Sequence, residues 1–153
     1  MPAYSYKERF VPMVKDGSKR QTIRKRRKKG FAKPGDMLYH YFGMRTKWCK
    51  KLRQDRCTNA GTVLILLDDV IHIWNRRLTD VEAQTVLEAG KLVTGLEPDK
   101  VIFTGIELDL FAWQDGFRPK GSSKKSPHGA HDLMMRFWKQ THELPFIGDI
   151  IHW

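Results

Sequence analysis

The segment Gly61–Trp74, GTVLILLDDVIHIW, restricts the fold of this chain more than any other. Its β-branched and aliphatic side chains fit a pleated, buried surface. The longest apolar run, Val63–Leu67, is far too short to cross a bilayer. Asp68 and Asp69 interrupt the pattern, so the segment reads as one long strand bent there or as two strands. With 153 residues the chain has the length of one ordinary domain. Its 41% hydrophobic content is enough to bury a core without disulfide staples.

The flanking sequence predicts short helices and further strands. Phe10, Val11 and Val14 fall at helical spacing within Glu8–Lys15. Pro12 is tolerable there in the first turn, and Gly17 suits a left-handed cap. Thr22 and Ile23 read as a brief strand, Lys33-Pro34-Gly35-Asp36 as a turn, and Met37–Phe42 as a strand. Residues 75–103 stay open: Val81–Ala89 allows a helix, whereas Gly90, Gly95 and Pro98 favour turns and short strands. Thr104-Gly-Ile-Glu107 has the form of a capping box. It opens a helix whose stripe would be Ile106, Leu110, Trp113 and Phe117. Residues 118–131, rich in Gly, Ser, Pro and Lys, are expected to be a flexible insertion. Asp132 can cap a last helix with Leu133, Met134, Phe137 and Trp138 facing inward; Pro145 stops it, and Phe146–Trp153 forms a closing strand. The order predicts an α+β fold in one domain spanning 1–153, with no internal repeat and no linker.

Charge is distributed unevenly. The chain carries a formal +11, but residues 1–60 hold 18 Lys/Arg against 4 Asp/Glu, a net of +14. Residues 61–153 hold 10 against 13, a net of −3. Such segregation concentrates positive potential on one part of the molecule and attracts polyanions, RNA or another nucleic acid first among them. The candidate contacts are Arg20, Arg24, Lys25, Arg26, Arg27, Lys28 and Lys29, most of them in a basic loop at 24–33, followed by Arg45 and Lys47 beside Trp48. Basic groups position phosphates, and nearby aromatic faces such as Tyr39, Tyr41 and Trp48 can stack on unpaired bases.

Several chemistries find no motif. There is no GxxxxGK phosphate loop, HExxH, paired CxxC or GxSxG elbow. The six histidines are dispersed, so no metal site and no cofactor are expected. Cys49 and Cys57 fit no ligand spacing and are expected to be free thiols. The opening residues MPAYSYKERF lack the apolar core of a secretion signal, so the expectation is a cytoplasmic protein with no membrane partner.

Two segments carry a resemblance. Gly17-Ser-Lys19-Arg-Gln-Thr22-Ile-Arg24, followed by Pro34-Gly35-Asp36 and a strand, resembles the ASCH domain family, which shows G-x-K-x-x-T-x-R and then a P-G-D turn. Ala112-Trp-Gln-Asp115-Gly-Phe117 also resembles the family, whose members often carry an acidic residue followed by Gly-Phe there, and the closing Leu144-Pro-Phe-x-Gly148 with a final Ile-x-Trp153 looks like a phage and proteobacterial branch of it. The resemblance implies a PUA-like fold, a small β-barrel flanked by short helices, and with it RNA binding. One bacterial branch hydrolyses the acetyl amide of N4-acetylcytidine without a metal, using a threonine, a lysine and a carboxylate. By position those roles fall on Thr22, Lys19 and Asp115, with Asp standing where that branch has Glu. A nuclease has been proposed for another branch. The implied partner is thus a nucleic acid or a modified nucleoside bound in a nucleoside-like pocket.

Judged on residue type alone, Thr22 reads as a strand residue and Lys19 as a phosphate contact; only the resemblance brings nucleophile and base level with that reading. A lysine acts as base only when neutral. An ordinary one titrates near ~10.4, so neutrality at pH 7 requires roughly 4 kcal/mol of preference for the uncharged form. Burial and the cations Arg20 and Arg24 push that way, and an ionised Asp115 opposes them.

Overall fold

A computed structural model describes residues 1–153 as eight strands in two sheets with four short α-helices, an α+β fold. The first sheet has the order β1 (Ala3–Tyr6), β3 (Met37–Phe42), β4 (Lys50–Arg56), with β1 parallel to β3 and β3 antiparallel to β4. The second has the order β2 (Gln21–Lys25), β8 (Phe146–His152), β5 (Asn59–Ile65), β6 (Ile71–Trp74), β7 (Lys100–Ile102), and every neighbouring pair in it is antiparallel. The ladders do not close into the expected barrel: no strand of one sheet pairs with a strand of the other.

The apolar segment at 61–74 resolves into two strands. Asp69 takes a left-handed φ of 67° at the reversal, and Leu66 N–H donates to Val70 O, closing a hairpin. An Asp tolerates that conformation better than a β-branched residue would, because its side chain is short and polar. Gly61 is required where β5 passes the end of β6, since a Cβ there would lie 2.0 Å from the Trp74 carbonyl oxygen. β8 lies between β2 and β5, so the C-terminal strand holds the second sheet together.

α1 (Val11–Lys15), preceded by a 3-10 turn at Glu8–Phe10, buries Phe10 and Val14 and ends at Gly17 with φ 75°. In the open region 75–103 the structure shows α2 (Asp80–Ala89). Its N-terminus carries a complete capping box, with Thr79 accepting from Glu82 N–H and Glu82 accepting from Thr79 N–H. α2 covers β5 and β6 through Ala83 and Val86, packed with Leu64, Leu66, Trp74 and Leu78.

α3 (Gly105–Gln114) starts where expected but turns a different face inward. Leu108, Phe111 and Ala112 are buried, while Ile106 is 70% and Leu110 36% exposed and Trp113 is half-buried. The predicted stripe therefore fails at Ile106 and Leu110, while Trp113 packs against the core and Phe117, beyond the helix, is buried. Apolar residues nearly surround this helix, so periodicity gave no unique face, and packing against α4 chose the other one. Thr104 does not cap through its side chain; its hydroxyl donates to the Glu107 carboxylate instead. α4 (Ala130–Thr141) begins after Gly129, earlier than the Asp132 cap predicted, and buries Met134, Met135 and Trp138, with Leu133 and Phe137 half-buried. Arg118 to Gly129 is a succession of tight turns whose Arg118 guanidinium donates to the Ser18 carbonyl and hydroxyl. Cys49 is exposed and Cys57 buried, and they are not bonded to each other. No helix is long and apolar enough to cross a membrane.

Candidate functional site

A cleft of about 560 Å³ opens between β1, β2, the end of α3 and the face of α4. Lys19, Thr22 and Asp115 all line it, although Asp115 lies 96 residues from Lys19 in the chain. The route by which each arrives is local. After Gly17 the Lys19 N–H donates to Met13 O, turning the chain back over α1 and directing Lys19 inward. β2 then begins, and its period of two puts Thr22 and Arg24 on the same face. Asp115 caps the C-terminus of α3, and Gly116, with φ 95°, turns the chain away beneath it. Gly116 also makes room: a Cβ there would stand 3.0 Å from the Phe10 ring and 3.3 Å from the Lys19 side chain.

Lys19 is 2% and Asp115 5% exposed. The ammonium donates to the Asp115 carboxylate at 3.2 Å and also to the Asp115 backbone carbonyl, which is an end of the α3 backbone where a cation is favoured. It lies 5.0 Å from the centre of the Phe10 ring. Burial brings the Lys19 pKa down to about 8 despite the Asp115 charge, and Arg24 and Arg118 assist. Burial likewise pushes the Asp115 carboxyl above the usual carboxylate range, against the pull of Lys19. Both groups lean towards their neutral forms because low dielectric penalises both charges.

Thr22 is 4% exposed, and its hydroxyl accepts from Arg24 Nε at 3.2 Å. No hydrogen bond joins Thr22 to Lys19, although both line the cleft. The Arg24 guanidinium also lies over the Tyr6 and Tyr4 rings at 4.8 and 5.5 Å. Tyr6 bonds His40 Nδ1 at 2.9 Å, and His40 Nε2 faces Asp55 Oδ2 at 3.4 Å. Burial lowers the His40 pKa to about 4, so the ring is neutral at pH 7. The carboxylate beside Nε2 assigns the proton to that nitrogen, which leaves Nδ1 to accept from the Tyr6 hydroxyl. Asp55, His40, Tyr6, Arg24 and Thr22 thus lie in succession from the first sheet to the cleft, joined by hydrogen bonds at Tyr6–His40 and Arg24–Thr22 and by the cation over the Tyr6 ring between them.

The remaining walls are aromatic. Phe10 meets Phe117 edge-on at 5.5 Å, Phe117 meets Phe137 at 5.4 Å, and Trp138 follows. The Trp138 indole N–H is buried and has no protein partner. Lys7, Lys25 and Arg27 supply cations at the rim.

The other basic candidates divide. Lys25, Arg27, Lys28 and Lys29 are exposed. Arg26, expected in a solvated loop, is instead taken into the structure. Its guanidinium is 12% exposed and bonds the Thr62 hydroxyl, Asp80 and Asp149, the last also held by Arg77 at 3.1 Å. Arg24 and Lys25 belong to β2, so the loop proper begins at Arg26. Arg20 is exposed and lines a different cleft, of about 550 Å³, with Trp113 and His152. Arg45 and Lys47 stand exposed on the turn between β3 and β4. No group of three or more His, Cys, Asp or Glu side chains is placed to hold a metal ion.

Sequence reasoning missed the aromatic walls and the Tyr6–His40–Asp55 chain. Phe117 closes the Ala112–Phe117 segment and Phe10 belongs to the predicted first helix, so both gave a signal. Tyr6, His40 and Asp55 gave none, because only strand pairing brings them together. Comparisons with family models, with curated proteins and with solved structures find no match.

Proposed function

We propose that the chain is a nucleic-acid-binding protein of the ASCH type, PUA-like in architecture, whose cleft accepts a single nucleoside-like unit. The observation that carries this is the convergence of Lys19, Thr22 and Asp115 in one aromatic-walled cleft with cations at its mouth. Flat rings suit the faces of a base, buried polar groups read its edge, and rim cations meet phosphate. Two sheets flanked by short helices are compatible with a PUA-like arrangement.

A second reading is favoured by one specific feature, the low pKa of Lys19. A lysine near 8 is partly neutral at pH 7 to 8 and serves as a general base, as it does for the resembling amidohydrolases. In that reading Thr22 Oγ attacks the acetyl carbonyl of N4-acetylcytidine while Lys19 takes its proton. The C–N bond then breaks, the cytidine amine receives the proton from Lys19, and water hydrolyses the threonine ester to acetate. Arg24, bonded to Thr22, holds the hydroxyl in place and favours the developing alkoxide.

The test is direct. Purified protein is assayed for binding of cytidine and for release of cytidine from N4-acetylcytidine, free and within RNA. Binding with turnover that Thr22→Ala abolishes supports the hydrolase. Binding without turnover supports the module alone. No binding of either nucleoside, free or in RNA, removes both readings of the cleft.

A further inference from the structure

The turn between β3 and β4, residues Gly43–Cys49, is the most aromatic and basic exposed feature outside the cleft. Trp48 is 69% exposed, the one tryptophan so placed, since the other four are buried or half-buried. Lys47 Nζ sits 5.0 Å from its ring centre, and Arg45, Lys50 and Lys51 are exposed around it. A large apolar ring left in water on a cationic surface is an unspent binding face.

The turn is built rather than loose. Gly43 takes φ 63° and Arg45 takes φ 69°, a left-handed conformation that a long side chain seldom adopts. Thr46 fixes it: its hydroxyl donates to Gly43 O at 2.7 Å and accepts from Trp48 N–H at 3.1 Å, and Cys49 N–H donates to Thr46 O. The turn is also tied to the cleft. Met44 N–H donates to the hydroxyl of Ser5, and Ser5 is itself a cleft-lining residue, on a strand paired in register with β3. The turn that carries Trp48 is thereby fastened, through Met44, to a residue of the cleft wall.

We infer that this turn is a second binding site, which takes the nucleotide next to the one in the cleft. The ligand is single-stranded nucleic acid: Trp48 stacks on an unpaired base, and Arg45 and Lys47 hold the adjoining phosphates. A duplex hides its base faces and cannot use Trp48, so the site selects single strands over duplexes. The inference rests on the reading of the cleft as a nucleoside site only for the register of the strand; the stacking itself stands apart from it.

The experiment measures affinity for a fluorescein-labelled ten-nucleotide single strand, as RNA and as DNA, and for the matching duplex at one salt concentration. It uses the full chain and the variants Trp48→Ala, Trp48→Phe and Arg45→Ala/Lys47→Ala, with N4-acetylcytidine binding as control. Trp48→Ala is expected to weaken single-strand binding roughly 5- to 100-fold, the range of one lost base stack. Trp48→Phe recovers most of the loss, the double variant weakens binding as well, and free-nucleoside binding is unchanged. RNA bound more tightly than DNA assigns the strand to RNA, and the reverse assigns it to DNA. Equal single-strand affinity for Trp48→Ala and wild type, or a duplex bound as tightly as the strand, overturns the inference and leaves the cleft untouched. Loss of nucleoside binding in the wild type with Trp48-dependent strand binding intact removes the cleft reading and keeps this one.

Discussion

In the hydrolase proposed above, Lys19 is the residue on which the chemistry would depend. It is buried with one carboxylate and one carbonyl as partners, and the balance between burial and Asp115 sets its charge. If it is the base, the rate rises with pH as the ammonium loses its proton, with a midpoint near the pKa of about 8. Asp115 acts in the opposite direction to burial, since its negative charge favours the ammonium. Asp115→Asn keeps the shape and removes that charge, so the midpoint of the pH–rate profile moves to lower pH. A midpoint that stays in place, or moves up, shows that Asp115 does not act on the titrating group. Asp115→Glu lengthens the carboxylate to that of the resembling enzymes and is expected to retain activity, because it keeps the negative charge beside Lys19. Turnover below one tenth of wild type in that variant would contradict the correspondence of Asp115 with the family's carboxylate.

At the scale of the element, β8 does more than close the sheet. Its Asp149 stands in register with Arg24 on one side and Thr62 on the other, and is 5% exposed. Arg26 and Arg77 both bond it, so the loop after β2, the chain before α2 and the C-terminal strand meet at one carboxylate. Asp149→Ala leaves two guanidinium groups largely buried without their partner, a loss of about 3 kcal/mol in stability. Denaturant unfolding checks this, and a change below about 1 kcal/mol would show that water or Asp80 already satisfies them. None of this was legible beforehand, because Asp149 is one acidic residue in an apolar strand and its partners lie far away in sequence. What was legible had local causes. Gly17 ended α1, Pro34-Gly35 turned the chain, and Met37–Phe42 alternated as a strand does. The α2 start was legible too, in Thr79-Asp-Val-Glu82, but the glycines that follow drew attention away from it. The α3 face was not, because Leu108 and Phe111 compete with Ile106 and Leu110 on equal hydrophobicity. Of the cleft, Lys19, Thr22 and Asp115 came from motif order; the walls required the tertiary arrangement of α1, α3 and α4.

The whole molecule separates charge by sheet. Residues 1–60 supply the entire first sheet and the β2 edge of the second, and they carry the net +14. The cleft lies at the junction, lined by β1 and β2 on one side and by α3 and α4 on the other. A polyanion approaching this side meets Lys25, Arg27, Lys28 and Lys29 as free cations, but not Arg26, whose charge Asp149 and Asp80 already hold. That difference makes a sharp prediction. Binding to a single strand should weaken with salt, and five engaged phosphates give a slope of log K against log salt of about −3.5. Replacing Lys25, Arg27, Lys28 and Lys29 together by Ala should bring the slope towards zero by roughly 2 to 3, because up to four contacts release no counterions. Arg26→Ala should leave the slope as it was and lower stability instead, because it removes a partner of Asp149 and no free surface cation. Titrations at several salt concentrations, paired with unfolding of each variant, separate the two effects. A slope that falls with Arg26→Ala, or holds in the fourfold variant, would move the nucleic-acid path away from this end of β2.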